Sequence, residues 1–140
     1  PSPKGNSPMP RDPASPSTWL AYAKSDLAMA RLPIAPPMLL ENLCFHAQQA
    51  AEKAIKAVLI KLGIQPPKIH DIRRLTECLP DGVTRPEALT ASAPLTDYAT
   101  LTRYPWAGEP VSEEDHRQAL RLAEAVIAWA ENVIGAASDA

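Results

Sequence analysis

Residues 38–62 read Met-Leu-Leu-Glu-Asn-Leu-Cys-Phe-His-Ala-Gln-Gln-Ala-Ala-Glu-Lys-Ala-Ile-Lys-Ala-Val-Leu-Ile-Lys-Leu. This run of 25 residues contains neither proline nor glycine, and Gly63 follows it directly. Alanine, leucine, glutamine, glutamate and lysine dominate the run, and these residue types have high intrinsic helix propensities. The run therefore predicts one long helix at the centre of the fold.

Two apolar seams, with residues mostly three and four apart, follow this predicted helix. The alanine seam consists of Leu40, Leu43, Ala47, Ala50, Ala54 and Ala57, and the aliphatic seam consists of Cys44, Ala51, Ile55, Val58, Leu59 and Leu62. The small side chains of the alanine seam would let another helix backbone approach closely. Two adjacent apolar faces require partners on two sides, either within a bundle core or at a subunit interface.

Four further helices are predicted by apolar periodicity together with capping and breaking residues. The first runs from Trp19 to about Arg31, with Ser17 or Thr18 as its cap, and the second runs from Ile72 to about Leu79, with Asp71 as its cap. The third runs from Thr84 to about Arg103, with a kink or a later start near Pro94. The last begins after the cap Ser112 and ends at Gly135. No segment alternates with a period of two, so we predict no sheet. The expected fold class is all-α, an up-and-down helical bundle of about five helices.

The rest of the sequence suggests simple domain boundaries. Residues 1–16 contain six prolines and several serines, a composition that cannot bury much apolar surface. We expect a flexible leader over residues 1–16, a helical domain over residues 17–136 and a short tail over residues 137–140.

Composition restricts the class of protein. The net charge of −2 supplies no global attraction to duplex nucleic acid or to an anionic membrane. Cys44 and Cys78 lie far apart, without zinc-ligand spacing, and no apolar run is long enough for a membrane span. Gly-rich phosphate loops, HExxH and GxSxG are absent from the sequence. We expect a cytoplasmic protein without a metal, cofactor or membrane partner.

One polar stripe of the long helix is a candidate nucleotide-binding surface. Its members fall within an arc of about 80 degrees and can donate hydrogen bonds to phosphate; they are His46, Gln49, Lys53 and Lys56. The alternative is that they form the solvated face that every surface helix has.

A second cluster, Arg103-Tyr104-Pro105-Trp106, combines a guanidinium for phosphate with aromatic planes on which a base can stack. Its structural alternative is a helix C-terminus neutralised by Arg103, with the aromatic residues anchoring the next loop.

The segment His70-Asp71-Ile72-Arg73-Arg74 forms a third cluster, because a histidine can carry a proton while Arg73 or Arg74 holds an anion. Here too a structural role is open, with Asp71 as a helix cap and the arginines as exposed charges. His116 is interpreted as a semi-buried histidine of the last helix.

Three motifs together resemble the prokaryotic HEPN domain (higher eukaryote and prokaryote nucleotide-binding). They are Phe45-His46-Ala47-Gln48-Gln49-Ala50-Ala51-Glu52-Lys53-Ala54-Ile55-Lys56-Ala57, then Ile69-His70-Asp71-Ile72, then Arg103-Tyr104-Pro105. The resemblance extends from Trp19 to Ile134. It implies a bundle of about five helices, commonly dimeric, whose members are often encoded beside a minimal nucleotidyltransferase in two-gene toxin–antitoxin modules.

Many proteins of this family are metal-independent ribonucleases that carry an arginine, four to six further residues, and then a histidine. This sequence departs from the pattern, because no arginine is followed by a histidine at that separation. The pair Arg103 and His116 has twelve residues between its members. Cleavage by the usual mechanism is therefore not expected.

Three functional hypotheses follow. The first is a nucleotide- or RNA-binding homodimer that pairs with a nucleotidyltransferase and binds its ligand through His46, Gln49, Lys53, Lys56, His70, Arg103 and Tyr104. The second is a ribonuclease toxin with a displaced site drawn from His70, His116 and Arg103. The third is a structural dimeric adaptor whose alanine seam forms the subunit interface.

Overall fold

The computed structural model describes residues 15–101 and 110–139, and every regular element in them is helical. The elements are α1 (Pro16–Ala30), α2 (Leu40–Lys61), α3 (Ile72–Glu77), α4 (Glu87–Ala91), a 3-10 helix (Ala93–Asp97), α5 (Tyr98–Leu101) and α6 (Glu113–Asp139). The prediction of an all-α fold is confirmed. The long central helix begins two residues later and ends one residue earlier than predicted.

Helix α2 is the centre of the core, because α1 and α6 pack against it along their lengths and α3, α5 and the 3-10 helix contact it as well. Both seams of α2 are buried. Ala47, Ala50, Ala54 and Ala57 have no exposed surface, and neither do Cys44, Ala51, Ile55, Val58 and Leu59. The many alanines let neighbouring helices approach closely.

This burial contradicts one expectation. The adaptor hypothesis placed a subunit interface on the alanine seam, yet the chain's own helices bury five of its six residues, and only Leu40 at its start is partly exposed. Two long partners are available within one chain because α1 and α6 flank α2. Neither seam of α2 is left for a second subunit.

The predicted ends of the first and last helices are wrong by a few residues. Helix α1 starts at Pro16 with Ser15 as its N-cap, rather than after Ser17 or Thr18. Proline suits the first turn of a helix, where its missing N–H has no partner to lose. At the other end, α6 continues past Gly135 to Asp139. A glycine ends a helix only where the backbone turns left-handed, and Gly135 does not.

The predicted fourth helix is broken into three short pieces. Thr84 is not its cap, because the helix begins only at Glu87, with Pro86 in the N-cap position. The Thr84 backbone carbonyl instead accepts a hydrogen bond from Trp129 Nε1 at 2.8 Å. Pro94 cannot donate a backbone hydrogen bond, and the chain passes there from α4 into the 3-10 helix. The break near Pro94 was predicted, whereas the extension to Arg103 lies outside the described residues.

Two predicted caps are present. Asp71 Oδ1 accepts a hydrogen bond from the Arg74 backbone N–H at 3.3 Å. Ser112 and Asp115 form a reciprocal pair in which each backbone N–H donates to the other side chain at 3.0 Å. These bonds from Ser112 hold the pKa of Asp115 below its ordinary value of 3.8. Helix α3 ends at Glu77, two residues before the predicted Leu79.

Candidate functional site

Asp26 on α1 joins two members of the predicted polar stripe on α2. Lys53 Nζ lies 2.7 Å from Asp26 Oδ2, and His46 Nδ1 lies 3.0 Å from Asp26 Oδ1. The Lys53 ammonium also stands 5.7 Å from the centre of the Tyr22 ring. A cleft of about 270 Å³ opens here and is lined by Tyr22, Ser25, Asp26 and Lys53. We call it the α1–α2 cleft.

Glu52 forms the centre of a second, buried network. Gln48, Glu52 and Lys56 follow one another at spacings of four residues and therefore lie in one row along α2. Gln48 Nε2 donates to Glu52 Oε1 at 2.8 Å, and Lys56 Nζ donates to Glu52 Oε2 at 2.9 Å. Glu52 is 1% exposed and Lys56 7%. Each charge is thus removed from water and neutralised by the other.

His70 contacts the same carboxylate from the segment before α3. Its Nδ1 lies 3.0 Å from Glu52 Oε2 and 3.2 Å from Oε1. An ionised carboxylate only accepts hydrogen bonds, so Nδ1 is the nitrogen that donates. The side chain of His70 is 69% exposed, and Nε2 is the ring nitrogen left for another partner. Glu52 therefore holds an exposed imidazole in one orientation.

The two networks lie side by side along the interface of α1 and α2. Lys56 Nζ stands 5.5 Å from the centre of the Trp19 ring, as Lys53 does beside Tyr22. Trp19 and Tyr22 are three residues apart on α1, and the two lysines are three residues apart on α2, so each pair shares a helix face. The interface thus presents two aromatic rings and two ammonium groups together.

The charges of the two networks balance. Asp26 and Glu52 contribute two negative charges, and Lys53 and Lys56 contribute two positive charges. The predicted stripe is therefore not a row of uncompensated cations. Each ammonium nevertheless has three N–H donors, and one of the three is directed to its carboxylate.

The structure brings together five of the predicted binding residues. His46 and Lys53 share Asp26, while Lys56 and His70 share Glu52. Gln49 joins indirectly, because its Nε2 donates to Gln48 Oε1 at 2.7 Å. Arg103, Tyr104 and Trp106 lie outside the described residues.

His116 is not part of this arrangement. It is half-buried, and its Nε2 donates to the Ala30 carbonyl at 2.7 Å. Ala30 is the last residue of α1, whose final carbonyls have no partner within the helix. Trp19 lies eleven residues earlier, about 16 Å away along the helix axis. His116 therefore completes the end of α1, away from Trp19 and the adjoining Lys56.

Five residues of the two networks were not predicted as site residues from the sequence: Asp26, Glu52, Gln48, Trp19 and Tyr22. A signal for Asp26 was present, since it lies three residues after Ala23 and four before Ala30 on the apolar face of α1. A charged residue at such a position usually has a buried partner. A signal for Glu52 was also present, because it lies four residues before Lys56, which is the favourable order for an ion pair along a helix. Gln48 lies four residues before Glu52 in the same row.

The cysteines show no sign of activation. Burial raises the pKa of the Cys44 thiol to about 11, although its hydrogen bond with Tyr98 acts in the opposite direction. Burial also raises the pKa of Tyr98 to about 12. Cys78 Sγ lies 3.4 Å from the Arg74 carbonyl as a weak donor. Cys44 therefore fills space in the core.

Residues 15–101 and 110–139 contain neither a metal-ligand cluster nor a membrane-spanning helix. No cluster of three or more histidine, cysteine, aspartate or glutamate side chains is arranged to hold a metal ion in that part of the chain. Nor does any helix there combine the length and apolarity needed to cross a bilayer.

The fold and the paired networks define a small helical bundle with a buried ionic interface between its first two helices. The model of the HEPN domain family matches residues 16–133, and the chain belongs to that family. No curated protein matches the sequence.

Two solved structures are similar to this chain. The crystal structure of TT1696 from Thermus thermophilus is 31% identical with a TM-score of 0.75, and the match covers 89% of this chain and 99% of TT1696. The crystal structure of ST0689, described as an archaeal HEPN homologue, is 28% identical with a TM-score of 0.68, and the match covers 86% of this chain and 98% of ST0689.

Proposed function

We propose that this HEPN protein binds a nucleotide or an RNA end at the α1–α2 cleft and acts beside a minimal nucleotidyltransferase in a two-gene, toxin–antitoxin-like module. The observation that supports the binding site is the paired placement of Lys53 with Tyr22 and of Lys56 with Trp19. Ammonium groups bind phosphate, and aromatic rings stack on bases, which is the usual way single nucleotides are recognised.

The balanced charge of the cleft favours a small ligand over a long polyanion. Lys53 is the more accessible lysine, with its side chain 22% exposed, and keeps donors beyond the one that Asp26 accepts. His46 and His70 each direct Nδ1 to a carboxylate, which leaves Nε2 for a phosphate oxygen or a base edge. Arg103 and Tyr104 belong to the proposed binding set because a guanidinium can bind phosphate and an aromatic ring can stack on a base.

Replacing Lys53 with alanine is expected to weaken nucleotide binding about tenfold, since a hydrogen bond to a charged group contributes roughly 1.5–3 kcal/mol. Calorimetric titration with ATP, GTP and a short RNA measures the change. Arg103→Ala should weaken binding in the same direction.

Lys24→Ala is the matched control. Lys24 is a lysine of α1 that, like Lys53, forms an ion pair, in its case with Glu131. It does not line the α1–α2 cleft. Binding heat that is absent for all three ligands, or unchanged in both the Lys53 and Arg103 variants, would contradict the proposal.

The homodimer is part of the same proposal, and its interface must lie outside the α2 seams. Four large apolar residues from the last turn of α1 to the start of α2 remain exposed, namely Met29, Leu32, Ile34 and Leu39. Because clustered exposed apolar residues often mark interaction sites, this segment is the surface that we assign to a second copy. The nucleotidyltransferase partner is proposed from the family resemblance, and the cytoplasmic location is proposed from the two unpaired cysteines, Cys44 and Cys78.

A ribonuclease is the second candidate function, and the contact between Glu52 and His70 favours it. A carboxylate on Nδ1 leaves Nε2 able to accept the proton of a ribose 2′-hydroxyl. The 2′-oxygen would attack the adjacent phosphorus as the bond from phosphorus to the 5′-oxygen breaks, which gives a 2′,3′-cyclic phosphate and a 5′-hydroxyl protonated by water. Expression should then arrest growth and cleave RNA, and His70→Ala should abolish both effects while His116→Ala retains them. Healthy growth with intact RNA would exclude this function.

A further inference from the structure

A second cleft lies between α3 and α4 and shares no lining residue with the α1–α2 cleft. Its volume is about 370 Å³, within the range of small-molecule sites. One side is formed by Arg73, Thr76 and Glu77 of α3, and the other by Arg85, Leu89, Thr90 and Ala93. We call it the α3–α4 cleft.

Arg85 is held in place by backbone carbonyls, and no carboxylate in the described part of the chain pairs with it. Its Nη2 donates to the Leu79 carbonyl at 2.6 Å, and its Nη1 lies 3.3 Å and 3.4 Å from the carbonyls of Pro80 and Val83. These bonds use three of the five N–H donors of a guanidinium. The side chain is therefore fixed while its full positive charge and two donors stay available, so an anion could bind it at little cost in side-chain entropy.

Arg73 adds a second guanidinium to the same cleft. It is exposed, and it makes no hydrogen bond or ion pair with any residue that the structure describes. Glu77 lies one helical turn further along α3 and, among the described residues, forms no ion pair with Arg73 or Arg85. Two positive charges against one negative charge leave the lining net positive.

The floor of the cleft is formed by small side chains. Leu89 lies beneath it and is only 1% exposed, so the apolar surface open to a ligand is that of Ala93, at the start of the 3-10 helix, and of the methyl groups of Thr76 and Thr90. A bare inorganic anion would leave this surface unused, whereas an apolar group attached to the anion would cover it. We infer that the α3–α4 cleft binds a small organic anion, with one phosphate or carboxylate group on Arg73 and Arg85 and a compact apolar body against Ala93 and the two threonine methyl groups.

Phenyl phosphate is the probe that tests this site. Titration of the full chain, followed by NMR, should shift the backbone amides of α3 and α4 and saturate. Arg73→Ala should weaken binding about tenfold, because it removes a charge-assisted contact. Glu77→Gln should tighten binding several-fold, since it removes the opposing charge.

Arg74→Ala is the matched control, since it removes the neighbouring arginine that does not line the cleft. Ala93→Met should also weaken binding, because it fills the floor without changing any charge. Lys53→Ala should leave the affinity unchanged, which separates this site from the nucleotide site.

Three results would overturn the inference: no saturating shift with phenyl phosphate, equal losses in the Arg73 and Arg74 variants, or inorganic phosphate binding as tightly as phenyl phosphate. Benzoate distinguishes the two sources of the anion. Tighter binding of phenyl phosphate assigns the cleft to phosphate monoesters, and tighter binding of benzoate assigns it to carboxylates.

Discussion

Glu52→Ala is expected to lower the free energy of unfolding by about 3–5 kcal/mol, which is the usual loss when one member of a buried ion pair is removed. The variant leaves the Lys56 ammonium, 7% exposed, without its counter-charge and the fully buried Gln48 amide without its acceptor. Urea denaturation monitored by circular dichroism measures the change, and the midpoint should fall while the slope stays constant.

Two further variants make this expectation specific. Glu131→Ala removes a carboxylate from an exposed pair with Lys24 and should cost about 1 kcal/mol or less. The double variant Glu52→Ala, Lys56→Met removes both buried charges and should be more stable than Glu52→Ala alone. A loss at Glu52 no larger than the loss at Glu131 would mean that the buried network does not stabilise the fold.

Much of the fold could be predicted because its signals are local. The 25-residue run around Ala50 lacks breakers, and its two seams are the two faces that α1 and α6 cover. Caps at Asp71 and Ser112 depend on residues three positions away and were also predictable. Helix ends were predicted less well, because several residues near each end could serve as the cap: α1 begins at Pro16 rather than after Ser17 or Thr18, and α4 begins after Pro86 rather than after Thr84.

Only the part of the candidate site that lies on α2 could be predicted from the sequence. The stripe from His46 to Lys56 follows from helical spacing, so its members were identified together. The contacts of Asp26 with His46 and Lys53 could not be deduced, because they depend on how α1 lies across α2. Distances along one helix follow from its sequence, whereas distances between helices depend on packing.

Ala54→Leu is expected to destabilise the folded chain by about 1–3 kcal/mol, the usual cost of adding bulk to a filled core. Ala54 has no exposed surface and lies on the seam that α2 buries within its own bundle. Leucine has nearly the helix propensity of alanine, so the loss would report packing rather than a change in helix formation. Thermal and urea unfolding both measure it.

The Ala54 variant also decides between burial within the chain and burial between subunits. If the seam packs within one chain, light scattering should give the same mass for the variant as for the native protein, and the stability loss should not depend on protein concentration. A seam at a subunit interface would instead reduce the mass of the variant to that of a monomer and make the stability loss grow with protein concentration, because mass action stabilises the native dimer and not a monomeric variant. Ala128→Leu, at an exposed position of α6, is the matched control and should change neither the mass nor the unfolding free energy by more than about 0.5 kcal/mol.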